Sequence, residues 1–477
     1  MVARAESLLA ATAGRGPGLL TAAAGAGGLL GAFLAGVVMA AGASLFDDYS
    51  PIAMLVLALA PLLAFAIVID PRVGVVLVFA TFPVGAVGAS LGSMQVQAAE
   101  LAVLLIATVV TVRRLAVGMI PIPWHPVLWA ALALLVWSLI SFYTAVDQGL
   151  ALKFLASLAG GLVFAAVVYG ACTRLSDVRL LLGAMTLAGA VVGITALAGG
   201  AEFESTYGGS NVSGRLEGAF DSPNQLGSFC ALLTPIAAAF VFAVRGTISR
   251  LLAAGALLLI VAALMLSLSR GAWLGVAVAG LYMLFKLREA RRLLVALAVP
   301  ALIAGVALSS VDATDSTELQ VIGDRARAFT ARNPYDGRSD IWEEARRQIK
   351  ESPVTGQGPG AFPVVSVRAD SAASSITPDH AHNLALNYAA ETGLPGLAIV
   401  VAFVLAVAAA GRRAARTALG LGDRRSYVLV IGMLSGLLAL GVQNFTVDYT
   451  FGNAVVHLLM WATIGLLLAA QSLLAEP

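Results

Sequence analysis

LLAAGALLLIVAALMLSLSRGAWLGVAVAGLYMLFKL, residues 251–287, holds two apolar runs with almost nothing between them. Each run, 251–268 and 271–287, approaches the roughly 20 residues that carry a helix across a bilayer. Between them Ser267-Leu268-Ser269-Arg270 leaves no room for a loop, so the stretch reads as a helical hairpin whose turn carries an arginine. The rest of the chain has the same character. Of 477 residues 59% are hydrophobic, 12% are charged and 49 are glycine, a composition of polytopic helical membrane proteins and not of soluble domains.

Candidate spans recur along the whole length, at 22–45, 51–69, 74–90, 97–112, 126–145, 150–170, 178–199, 225–244, 251–268, 271–287, 293–310, 395–410, 427–446 and 453–472. The runs at 74–90 and 97–112 are weak, and one of them reads equally as a re-entrant piece. The expected fold is therefore all-α and polytopic, with about 12–14 transmembrane helices and one large extracytoplasmic, partly helical loop. Four segments follow from this: N-terminal helices over 1–200, helices with a short outer loop over 201–310, the large loop over 311–393, and C-terminal helices over 394–477. The apolar segment from Leu19 is too long and too poor in a cleavage site to be a removed signal peptide, and counts as the first span.

The basic residues report topology. With both termini cytoplasmic, Arg72, Arg113, Arg114, Arg174, Arg179, Arg245, Arg250, Arg288, Arg291, Arg292 and the cluster Arg412 to Arg425 all fall inside, as the positive-inside rule asks. The same alternation puts 46–50, 201–224, the turn at Arg270 and the loop from Val311 outside. A net charge of +2 with basic residues scattered between apolar runs gives no face for nucleic acid. Cys172 at the inner edge and Cys230 inside a span are not placed to pair, and no C-x-x-C metal site exists.

The outer loop carries structure. Ser339 to Lys350 reads as a helix with acids in its first turn, bases in its last, and Ile341, Ala345 and Ile349 on one face beside Trp342. A turn at Glu351-Ser352-Pro353 stops it. Gly356, Gly358 and Gly360 then alternate with Gln357 and Pro359; as a phosphate cradle this is weak, and a tight turn packing the helix on the membrane domain is the better reading. From Asp379 a second helix is expected, ending at Thr392 before Gly393-Leu394-Pro395-Gly396.

His382 lies at the start of that second helix. The positive end of the helix dipole disfavours imidazolium there, which leaves a neutral ring able to accept a proton. His380 and His382 as a zinc pair would need carboxylates from the same loop, and a purely structural pair is the other reading. Three arginines join the constellation: Arg215, shortly before Ser222-Pro223-Asn224, where a hydroxyl cap and an N1 proline start a span at the outer face; Arg270 in the hairpin turn; and Arg338 before the loop helix. An isolated arginine is more often an interfacial anchor. Arg270 departs from that pattern because it sits on the side where short loops are poor in positive charge.

These residues resemble a family. The run SPNQLGSFCALLTP, the LSLSRGAWLG hairpin, and an arginine and tryptophan before P-x-x-G-x-G and HAHN look like the O-antigen ligase and polymerase superfamily. Its members carry a His followed by Asn, Ser or Gln, then nine residues, then G-x-x-G. Here His382-Asn383 is followed by the nine residues Leu384 to Thr392 and then by Gly393-Leu394-Pro395-Gly396. The resemblance covers roughly 214–396 and implies a metal-independent, inverting glycosyltransferase of the bacterial cytoplasmic membrane, with no cofactor. The implied donor is a glycan on undecaprenyl pyrophosphate, and the acceptor a hydroxyl of a glycan or glycolipid, or in some relatives a protein serine. By the same resemblance His382 is the base, Arg215 and Arg270 hold the pyrophosphate, and Asn224, Arg338 and Asn383 line the substrate site. Guanidinium groups suit the task, since they bind phosphate bidentately and keep their charge. The alternative is a membrane transporter of a small solute or envelope precursor. Against it, Glu100, Lys153 and His457 fall in the outer parts of their spans and leave the midplanes free of charge.

Overall fold

The computed structural model describes residues 62–84, 88–91, 94–120, 122–200, 203–207, 210–288, 291, 338–368, 380–445 and 453–476. The expected spans at 22–45 and 293–310, most of that at 51–69, and the first part of the outer loop lie outside these residues. The elements are α1 (Pro71–Ala80), a hairpin of β1 (Gly88–Leu91) and β2 (Met94–Gln97), α2 (Ala98–Ala116), α3 (Leu128–Phe142), α4 (Gln148–Ala171) and α5 (Leu175–Gly199). A second hairpin follows, β3 (Phe203–Tyr207) and β4 (Ser210–Arg215), then α6 (Pro223–Ala243), α7 (Thr247–Leu266) and α8 (Arg270–Lys286). The last are α9 (Arg338–Glu351), α10 (Phe362–Arg368), α11 (Leu384–Gly420), α12 (Arg424–Gln443) and α13 (Ala454–Ala475).

The protein is an all-α polytopic membrane protein. Among the described residues seven helices, α4, α5, α6, α7, α11, α12 and α13, are long and apolar enough to span a bilayer. Three expectations are corrected. The run at 74–90 is not one span: α1 ends at Ala80, a short 3-10 turn covers Phe82–Val84, and β1 pairs antiparallel with β2. Pro83, which has no amide hydrogen to give, stands at that break. The segment 203–215, expected as an outer loop, is likewise a two-stranded hairpin. The helix expected from Asp379 begins only at Leu384.

Short polar side chains start the spans. Asp147, Ser222, Asp423 and Asn453 each accept a backbone N–H from the first turn of α4, α6, α12 and α13, and α6 has Pro223 at its first position as expected. Each such cap is worth about 1 kcal/mol. Packing then depends on small residues. α12 lies along α6 and α8, and a Cβ at Gly436 would come within 2.4 Å of the Leu232 carbonyl oxygen, so only glycine lets the α6 and α12 backbones meet. α13 packs on α4, α7 on α6 and α5, and α11 on α3, α12 and α13.

The two ends of this bundle differ. At one, Arg72 pairs with Asp177 at 2.5 Å, the Tyr427 hydroxyl donates to the Lys286 carbonyl at 3.2 Å, and Arg179, Arg245 and Arg425 share one cleft. At the other, the starts of α6, α8 and α11 meet the end of α12. The segment between α8 and α11 folds onto this second end: Ile341 and Ala345 of α9, Phe362, Ala381 and Ala390 form a small separate core, with Ile349 and Leu386 packed against it. The expected apolar face of the loop helix is the face that packs.

Candidate functional site

The histidine turn is held from three sides. Asn383 caps α11, its Oδ1 accepting the N–H groups of Ala385 and Leu386 at 3.1 Å, while its Nδ2 donates to the Phe445 carbonyl at 3.4 Å. The N–H of Leu384 donates to the Asn444 carbonyl at 2.8 Å, and that of Ala381 to Oδ1 of Asn387 at 2.9 Å. Under these ties His382 is driven to φ 49°, a left-handed conformation that costs a non-glycine residue about 1–3 kcal/mol and persists only where its surroundings over-determine it. Among the described residues one other non-glycine residue does the same, Leu268, at φ 50° in the Ser267 to Arg270 turn. The two strained residues thus fall in the two turns that sequence motifs mark.

Both histidines precede the helix. Their rings meet edge to face at 4.3 Å, and Nδ1 of His380 accepts the N–H of His382 at 3.3 Å. Nδ1 of His382 is buried without a hydrogen-bond partner. Burial, then the neighbouring His380 and Arg338, hold the His382 imidazolium well below its usual range. Desolvation is the largest cause of that depression. Among the described residues no three His, Cys, Asp or Glu side chains converge.

The arginine turn is built around Arg215, which is buried at the end of β4. Its Nε donates to the Ser267 carbonyl at 3.0 Å and its Nη2 to Oδ1 of Asn224 at 2.8 Å. The next residue, Leu216, gives its N–H to the Leu266 carbonyl at 3.0 Å. The hairpin is thereby clipped to the α7–α8 turn and to the first turn of α6. Arg270 opens α8 three residues beyond Ser267, so the two arginines flank one turn.

Gln443 and Asn444 join the two turns. Gln443 at the end of α12 donates through Nε2 to the Ser228 hydroxyl at 2.7 Å and to the Asn224 carbonyl at 3.3 Å. Asn444 receives Leu384. A hydrogen-bonded route therefore runs from the His382 turn through the end of α12 to Asn224 and Arg215. Asn453 adds a second tie, donating to Oε1 of Gln225 at 2.9 Å. Of the residues expected at the site, Arg215, Arg270, Asn224, His382 and Asn383 all lie at this end of the bundle, and Arg338, at the start of α9, is close enough for its charge to act on His382. Asn383 is a capping residue here.

Four residues escaped the sequence: Gln443, Asn444, Asn387 and the buried Glu391. The first two form a polar pair at the end of an apolar run, a signal that a search for such pairs would find. Glu391 faces the glycine turn, where its carboxylate accepts from Phe362 N–H at 3.4 Å. The glycines are there for packing: the N–H groups of Gln357 and Gly358 donate to the carbonyls of Ala390 and Glu391 at 2.9 and 3.0 Å, and a Cβ at Gly356 would strike the Glu391 backbone at 2.3 Å. Gly393, at φ 73° and ψ 178°, breaks α11 between its short first part and the long apolar part that follows, and the Thr392 carbonyl there accepts from Trp137 Nε1 at 2.7 Å.

Residues 255–401 match the family model described as O-antigen ligase. That segment runs from α7 through the arginine turn, α9 and the glycine turn to the His382 turn and the first part of α11. It supports glycosyl transfer of the ligase and polymerase type by a multi-pass membrane protein. No curated protein matches the chain.

Proposed function

From residues 255–401 as a segment of the O-antigen ligase-like superfamily, we propose that the chain transfers a saccharide from undecaprenyl pyrophosphate to an acceptor hydroxyl at the outer face of the bacterial cytoplasmic membrane. The observation that carries this reading is the hydrogen-bonded route from the His382 turn to Arg215. On this reading it links the turn of the proton acceptor, His382, to Arg215, one of the two arginines proposed to hold phosphate. The acceptor O–H gives its proton to His382 as its oxygen forms a bond to the anomeric carbon of the donor. The bond from that carbon to the pyrophosphate oxygen breaks from the opposite face, with inversion, and undecaprenyl pyrophosphate leaves. Arg215 and Arg270 stabilise the charge that grows on the departing phosphate, in place of a divalent ion.

A ring that resists protonation is a poor general base at neutral pH. The donor acts against that depression: its phosphate charges favour the imidazolium and raise the proton affinity of His382 when substrate is bound. The concentration of positive side chains at the opposite end of the bundle supports placing that end in the cytoplasm, with both termini, and the His382 end outside.

The test uses purified protein reconstituted with an undecaprenyl-pyrophosphate-linked glycan, following release of undecaprenyl pyrophosphate. Release should depend on an acceptor glycan, persist in chelator, and fail in His382→Ala and Arg215→Ala. Release unchanged in both variants, or silenced by chelator and restored by zinc, overturns the proposal.

A further inference from the structure

At the end of the bundle remote from His382, three arginines from three elements line one cleft: Arg179 of α5, Arg245 just beyond α6, and Arg425 in the first turn of α12. Ser249 of α7 completes the polar rim, while Phe240 and Leu429 form an apolar wall. The cavity encloses about 220 Å³. No carboxylate lies within ion-pair distance of the three guanidinium groups among the described residues. Asp423, whose carboxylate accepts from the N–H and hydroxyl of Ser426 at 3.1 and 2.6 Å, also acts through its charge on Arg179 and Arg425, one negative charge against three positive ones.

Three like charges held in one cleft repel each other, and the single carboxylate of Asp423 leaves positive charge there for a further anion to offset. Arginine fits phosphate oxygens in pairs. The apolar wall beside the charged rim suits a molecule that carries both a phosphate and a hydrocarbon stem. We propose that this cleft binds a phosphate group, presented by an anionic phospholipid of the membrane leaflet opposite the glycan-transfer site. Along α12 the two places lie far apart: Gln443 stands about 27 Å from Arg425. The proposal does not rest on the function proposed for the other end.

The experiment titrates the purified full chain in neutral detergent with phosphatidylglycerol, with phosphatidylcholine and with inorganic phosphate, reading bound lipid by native mass spectrometry and the thermal midpoint. Phosphatidylglycerol should bind and raise the midpoint of the wild type; phosphatidylcholine should not. The triple variant Arg179→Gln, Arg245→Gln, Arg425→Gln should bind phosphatidylglycerol on the order of 100-fold more weakly. Arg416→Gln, which removes a charge from the same end but not from the cleft, should bind as the wild type does. If the triple variant does not fold, Arg425→Gln alone should weaken binding several-fold where Arg416→Gln does not. A cleft-dependent shift with inorganic phosphate but not with phosphatidylglycerol assigns the site to free phosphate. Equal binding by wild type and cleft variants, or equal loss in Arg416→Gln, overturns the site.

Discussion

Gln443 and Ser228 meet at 2.7 Å, the carboxamide of one helix end reaching the hydroxyl in the second turn of another, and the same Nε2 touches the Asn224 carbonyl. This places the end of α12 against the start of α6. Gln443→Leu leaves buried acceptors on Asn224 and Ser228 without that donor, a loss of about 1–3 kcal/mol. The variant should melt earlier and transfer glycan more slowly, measured by thermal unfolding and by product formation. Full stability with full activity would show that the route through α12 does not position the site.

His382→Ala should lower the rate of glycan transfer by roughly 100-fold to 10,000-fold, the usual range for a lost general base. His380→Ala should cost less, because His380 supports the His382 backbone and ring without standing at the motif position. The comparison is of kcat at saturating donor. Equal losses in the two variants would make the pair one functional unit.

Arg215→Lys should recover part of what Arg215→Ala loses. Lysine keeps the charge but cannot donate to Ser267 and Asn224 in the same fork. If Arg215 also holds the leaving group, the alanine variant loses about 2–4 kcal/mol of transition-state stabilisation in kcat/KM. Thermal unfolding separates the two roles, since a merely structural arginine would lower the midpoint and leave the rate of the folded fraction intact.

The buried His382 ring makes stability depend on pH. Its folded pKa is depressed to about 2 against an ordinary value near 6.5. Between these values the unfolded chain binds the proton and the folded one does not, so the contribution is complete above pH 6.5 and is lost as pH falls below it. The slope from this group is at most about 1.4 kcal/mol per pH unit. Unfolding free energies between pH 7 and pH 5 should fall more steeply for the wild type than for His382→Gln; parallel lines would contradict the burial argument.

Gly393→Ala places a Cβ 2.0 Å from the Val354 carbonyl oxygen and imposes a left-handed φ on a non-glycine residue. The backbone term alone costs about 1–3 kcal/mol. The variant should expose the outer segment to limited proteolysis while the spans stay resistant.

The sequence announced what depends on periodicity and on local caps. The α7–α8 hairpin, the Ser222 and Pro223 start of α6, the apolar face of α9 and the break at Gly393 all appear where the residues predict them. What stayed hidden depends on partners distant in sequence. Gln443 reads as an ordinary polar residue at a span end until Ser228, 215 positions away, is beside it. The left-handed turn at His382 is invisible for the same reason, since it is flanked by hydrogen bonds from Leu384 to Asn444 and from Ala381 to Asn387. The β3–β4 hairpin had a local signal, Gly208-Gly209 between short β-prone runs, that the overwhelming helical character of the chain obscured.

The length of α6 fixes a depth. Its 21 residues rise about 31 Å, close to the roughly 30 Å of bilayer hydrocarbon, with Asn224 and Arg215 at one end and Arg245 at the other. Arg215 therefore stands, on the proposed function, at the boundary between oil and water. On the proposed function, a donor diffusing in the leaflet reaches it sideways: its polyprenyl tail stays dissolved in lipid, its sugar stays hydrated, and only the phosphates linking them need enter the protein.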